Sequence, residues 1–111
     1  MVAKVVLFAL LGFLLISILS SALADQWYVD GSVAESGDGT RWNTGFKEIQ
    51  EGIDAAVDGD VVTVAQGTYV ENIFFNGKNI TLRSTDPLDS DVVENTIIDG
   101  RHAGSVVTFS G

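Results

Sequence analysis

The sequence predicts an all-β solenoid that opens with one amphipathic helix. Three observations carry that expectation. Short runs rich in β-branched and aromatic residues follow one another from Val61 onward, separated by Gly, Asn, Asp and Ser clusters. Three of them begin at Val61, Ile80 and Val106, at intervals of 19 and 26 residues, and the longer interval holds one polar insertion, Asp86 to Asn95. A recurrence in this range, with the insertion confined to one position, is what stacked coils produce. Two-residue hairpin signals are mostly missing between the runs, which disfavours an antiparallel sandwich.

The elements follow in order. Residues 1–24, MVAKVVLFALLGFLLISILSSALA, read as a leader rather than as part of the folded domain. Lys4 supplies a positive start, Val5 to Ile16 is unbroken apolar sequence, and Ala22-Leu23-Ala24 is a small-x-small cleavage pattern with the cut between Ala24 and Asp25. The competing reading is an uncleaved membrane anchor, because the apolar segment approaches spanning length if extended to Ala24. The charge-poor flank and the Ala-Leu-Ala site favour cleavage, and hence a secreted or cell-surface protein. No cysteine follows the apolar run, which excludes lipid attachment there.

Cleavage leaves residues 25–111, 87 residues, room for one small domain. Lys4 is the leader's only charge, so its removal takes the formal net charge from −9 to −10. That balance excludes nucleic acid, whose phosphates demand Lys and Arg, and anionic membrane surfaces. An acidic polymer would need a divalent cation to bridge carboxylate to carboxylate. With no cysteine, the exported chain has no disulfide to staple a small core.

Residues 25–60 hold the first strand, a loop and the helix. Trp27, Tyr28 and Val29 form a short strand signal closed by Asp30-Gly31. SVAESGDGTRWNTG follows as an irregular loop. Trp42 within it reads as an anchor pinning the loop to the core, with a sugar-stacking platform as the functional alternative. In FKEIQEGIDAAVDGD, residues Phe46, Ile49, Ile53, Ala56 and Val57 make one apolar stripe at helical period. Lys47, Glu48, Gln50, Glu51 and Asp54 fall opposite. Thr44 is the expected N-cap and Gly59 the expected stop. Gly52 inside the helix costs about 1 kcal/mol relative to Ala, which close packing there would offset.

Residues 61–111 read as the first coils, and the solenoid as incomplete. Strands are expected at Val61 to Ala65, Tyr69 to Phe75, Ile80 to Arg83, in TIIDG and in SVVTFSG, with Asn76-Gly77 as a turn. Stacked repeats bury their apolar residues only against neighbours, and barely two are present here. The expectation is therefore a truncated solenoid whose partners include further coils of its own chain, with the helix capping its first coil.

The segment WYVDG, then GDGTRWNTGFKEIQEGIDAAVDGDVVTVAQGTYVENI, is similar to the opening of right-handed parallel β-helix proteins of the pectin-lyase-like superfamily. The resemblance covers Trp27 to Gly111 and implies an exported protein that binds or processes extracellular polysaccharide. As an enzyme it would be a polysaccharide lyase, a hydrolase or a pectin-esterase-like protein. The resemblance also covers non-catalytic cell-surface solenoids. GTYVENI, Gly67 to Ile73, is similar to an element of pectin methylesterases in which Glu71 matches the glutamate. Read from the residues alone, Gly67 turns the chain, Tyr69 packs and Glu71 alternates outward. The remaining catalytic residues of such enzymes would lie beyond Gly111.

Other candidates are weaker. Asp99-Gly100 reads as a turn before it reads as a metal ligand. His102 is the only histidine, so no histidine-based triad or zinc cluster can be assembled. Asp58-Gly59-Asp60 and Asp86 to Glu94 are acidic loops open to Ca²⁺ but matching no EF-hand spacing. No cofactor is identified beyond that Ca²⁺. Asn79-Ile80-Thr81 fits a glycosylation acceptor in a eukaryotic host.

Overall fold

The computed structural model describes residues 24–110. The leader, residues 1–23, lies outside the described residues, and so does Gly111. Among the described residues there are seven short strands: β1 Gln26–Val29, β2 Val61–Val64, β3 Gly67–Val70, β4 Ile73–Phe74, β5 Thr81–Ser84, β6 Thr96–Asp99 and β7 Val107–Thr108. Two short helices join them, α1 Ile49–Ala55 and α2 Ser90–Glu94, with a 3₁₀ turn at Trp42–Thr44.

Every strand pair is parallel. One sheet has the order β1-β2-β5, a second pairs β3 with β6, and a third pairs β4 with β7. Parallel partners need a crossover between them. The chain makes each crossover by leaving one sheet and contributing a strand to another.

This arrangement corrects the expectation of a capped all-β solenoid and, with it, of a right-handed parallel β-helix. The described residues form short parallel pairs in three small sheets, none larger than three strands and none closed. The spacing misled because it joined strands of different sheets. Val61 does pair with the strand after Ile80, at Thr81, but Val107 pairs with Ile73. Partner separations are 35 residues from Gln26 to Val61, 20 from Val61 to Thr81, 29 from Gly67 to Thr96 and 34 from Ile73 to Val107. No single period runs through them.

The capping helix is corrected too. Helix α1 has seven residues, about two turns, and it packs on β1, β2 and β4. Ile49, Ile53 and Ala56 are buried as the stripe predicts, but Val57 is exposed. Thr44 does not cap the helix; its hydroxyl donates to Asp38 at 2.8 Å, and Glu48 takes the N-cap position without a side-chain cap bond. A Cβ on Gly52 would stand 2.8 Å from Val62 Cγ1 and 3.0 Å from Val29 Cγ2. The helix interior therefore carries glycine so that α1 can lie directly on β1 and β2.

The core gathers Val29, Ile49, Ile53, Val62, Val64, Tyr69, Ile73 and Phe75. Burial of each such large apolar side chain contributes about 1.5–3 kcal/mol. The expected strand Tyr69 to Phe75 is broken in two at Glu71-Asn72, which lets β3 and β4 enter different sheets. At the Asn76-Gly77 turn both residues take positive φ, 56° and 74°. The loop Asp86 to Asn95 is not wholly irregular: Asp89 accepts the Asp91 N–H at 3.0 Å and starts α2.

Candidate functional site

Three places bring polar or aromatic groups together, and each is built by the short elements around α1. The first surrounds the GTYVENI segment, where Gly31, Lys47, Glu48, Thr68, Tyr69 and Glu71 line a cleft of about 250 Å³. Glu71 does not point outward. Its Oε2 accepts the Ile49 N–H at 2.8 Å and its Oε1 the Gln50 N–H at 3.0 Å, so both oxygens hold the first amides of α1. Those amides have no intrahelical partner, and the positive end of the helix favours an anion there.

Tyr69 is equally committed. Its hydroxyl donates to the Ala65 carbonyl at 2.8 Å and accepts the Gly31 N–H at 3.1 Å. Burial pushes its phenol pKa up, assisted by the negative charges of Asp30 and Glu71 and opposed by the Gly31 hydrogen bond. The G-x-Y-x-E element is therefore a clamp that joins β3 to the loop after β1 and to α1.

The other end of α1 is held in the same way. Lys78 Nζ donates to the Ile53 and Asp54 carbonyls at 2.8 and 2.9 Å, a cation at the negative end of the helix. Gln50, expected on the polar face, instead pairs with the β4 backbone. Its Oε1 accepts the Phe74 N–H at 2.8 Å and its Nε2 donates to the Phe74 carbonyl at 3.0 Å. Sequence reasoning missed all three roles, because each partner lies more than twenty residues away.

The second place is the loop 30–45. Asp38 Oδ1 accepts from the Thr40 N–H, the Thr40 hydroxyl and the Thr44 hydroxyl at 3.1, 2.8 and 2.8 Å. The Thr40 amide, then the two threonine hydroxyls and nearby Arg41, lower its pKa to about 2. The loop so fixed carries Trp42, whose ring meets Tyr28 edge-on with centroids 4.8 Å apart. Trp42 keeps 39% of its surface exposed. It is pinned along one edge and open on the rest, whereas Trp27 stacks on Phe46 and is tied by its indole nitrogen.

The third place is Asp60, at 3% exposure the most buried charged side chain among the described residues. Its Oδ1 accepts the Asp25 N–H, and its Oδ2 accepts the Trp27 indole N–H and the Val57 N–H, all at 3.0 Å. Burial penalises the charge, yet hydrogen bonds from Val57, Trp27 and Asp25 outweigh that and lower the pKa. Both carboxylate oxygens of Asp60 are thereby committed to N–H donors. Asp58, Asp86 and Asp89 likewise accept backbone N–H groups, from Asn79, Leu88 and Asp91. Among the described residues no group of three or more His, Cys, Asp or Glu is placed to hold a metal ion.

Asp99 accepts the Arg101 N–H at 2.8 Å and forms the expected turn, with His102 just beyond it on the surface. Ala24 and Asp25, the residues flanking the expected cut, are both exposed. No helix of the described residues is long and apolar enough to cross a membrane. An apolar cavity of about 390 Å³ lies between Ile49, Val64, Leu82, Pro87 and Ile98, with Ser84 Oγ buried and unpartnered. Comparison with protein families, curated proteins and solved structures finds no match to this chain.

Proposed function

We propose that the protein works outside the cytoplasm, secreted or held at the cell surface, and engages extracellular carbohydrate by binding it. The export part rests on the leader pattern that ends at Ala24. The binding part rests on one observation: Trp42 presents 39% of its surface from a loop that Asp38 and Tyr28 hold in place. A fixed indole face suits the apolar C–H face of a pyranose, because it is ordered before binding and loses little conformational freedom on contact.

The charge of −10 left after leader removal selects among glycans. A polyuronate would be repelled unless cations bridged it, so neutral sugars are the favoured class. Binding is favoured over cleavage because glycoside chemistry needs a converging pair of free carboxyl groups. At the two polar places nearest the loop, Glu71 is bound to α1 and Asp38 to its threonines.

Titration with neutral oligosaccharides, followed by the two indole N–H resonances, tests this reading. The Trp42 signal shifts at millimolar sugar while that of Trp27, bonded to Asp60, stays still. Trp42→Ala abolishes binding with the fold retained. An unmoved Trp42 signal across neutral glycans contradicts the proposal.

A further inference from the structure

Among the described residues the buried Asp60 carboxylate has three partners, and all three are neutral N–H groups. No cation is among them. Asp25's own side chain is exposed, and the neighbouring carboxylate of Asp58 is turned to the Asn79 N–H. An uncompensated buried charge is costly, and a single opposite charge at hydrogen-bond distance is the usual remedy. One of the three donors stands at a special place in the sequence. The Asp25 nitrogen, 3.0 Å from Asp60 Oδ1, is the nitrogen of the bond expected to be cut in the leader.

We propose that Asp60 is the docking site for the α-ammonium group created by leader cleavage between Ala24 and Asp25, so that processing supplies the buried carboxylate with its counter-charge. The inference rests on the export reading above. In the cleavage itself, water adds across the Ala24–Asp25 peptide bond under a leader peptidase. The Ala24 carbonyl carbon gains the oxygen and leaves as a carboxylate, and the Asp25 nitrogen gains protons and becomes an ammonium. A hydrogen bond charged only on its acceptor thereby becomes an ion pair charged on both sides, which strengthens it further.

The surroundings already fit such a terminus. The scissile bond is flanked by two exposed residues, Ala24 and Asp25, which gives access. The Asp25 carbonyl accepts the Val61 N–H at 3.0 Å, so the residue is held from its other side. Trp27, two residues on, reaches the second oxygen of the same carboxylate. The register is strict: a cut one residue earlier or later would place the new ammonium at Ala24 or Gln26, away from Asp60.

The test uses the full chain with its own leader, expressed in a secreting host. Intact mass gives the first residue of the exported protein, and acylation of its α-amino group across pH gives that group's midpoint, folded and in urea. The expected result is a chain beginning at Asp25 whose folded midpoint lies about one unit or more above the urea value, which makes it about fivefold less reactive near pH 8 and about tenfold less reactive well below both midpoints. Burial without a partner moves an amine the other way, so the sign separates the two causes. Asp60→Asn returns the midpoint to the urea value where it folds, and the urea comparison stands without it. A chain beginning at Asp25 with no upward shift overturns the pairing and leaves export standing. An exported chain beginning elsewhere also overturns it, and a chain that stays uncut overturns both the pairing and the export reading.

Discussion

The stretch from Asp25 to Lys78 and the stretch from Ile80 to Ser110 use the same kind of strand but are held very differently. In the first, every buried large apolar side chain of the core is found, from Val29 to Phe75. Charged and amide side chains also reach across it: Asp60 to β1, Glu71 and Lys78 to the two ends of α1, Gln50 to β4. In the second, the strands lean on the first through parallel pairing and the partly buried Ile80, Leu82, Ile98 and Val107, while Leu88, Val93, Ile97 and Phe109 stay exposed. Partly buried side chains contribute less than fully buried ones. The difference teaches that a short helix fixed at both ends by distant side chains, rather than strand repetition, organises this fold.

The largest way to break the contrast is in the core under α1. Ile53→Ala removes a fully buried side chain packed among β1, β2 and β4, and costs about 2–5 kcal/mol in chemical denaturation. An effect under 1 kcal/mol would remove α1 from the centre of the account. Glu71→Ala is next. It strips two partners from the first amides of α1 and lowers stability by about 1–2 kcal/mol, with loss of amide protection at Ile49 and Gln50.

Acid sharpens the same comparison through Asp60. Its folded pKa lies below the ordinary 3.8, so its contribution is complete above that value and disappears as pH falls through the folded pKa. Stability should therefore drop on acidification below about pH 4, first in the contacts joining Asp25, Trp27 and Val57. A protein carrying Asp60→Asn should show a shallower loss over the same interval. The smallest effect is expected from Ile97→Ser on the exposed face of β6, within about 0.5 kcal/mol of the parent protein. A cost comparable to Ile53→Ala would show the second stretch to be as firmly packed as the first.

Much of this was legible in local sequence. The strands near Trp27, Val61 and Thr96, the apolar stripe of α1, and the turns at Asn76-Gly77 and Asp99-Gly100 follow from residue type and period over a few positions. The sheet partners were not legible. Val61 and Val106 look alike as strand starts, yet pairing depends on where the chain has travelled between them. For the same reason Glu71 reads from the sequence as alternating outward and Asp60 as part of an acidic loop, and Lys78 carries no local signal at all. Their roles are set by backbone amides and carbonyls brought from elsewhere in the chain, and a backbone group leaves no mark in the sequence. Trp42 reads from the sequence as an anchor or as a sugar-stacking platform, and both its edge contact with Tyr28 and its exposed remainder became visible only in three dimensions.

Native-state hydrogen exchange on the full chain tests the central claim most directly, because it reads local opening free energy residue by residue. The account predicts that amides of α1, β2 and β4 exchange only with global unfolding, while Val93, Ile97 and Thr108 exchange through smaller local openings. Equal protection across the two stretches, or stronger protection in β6 and β7 than in α1, would contradict it.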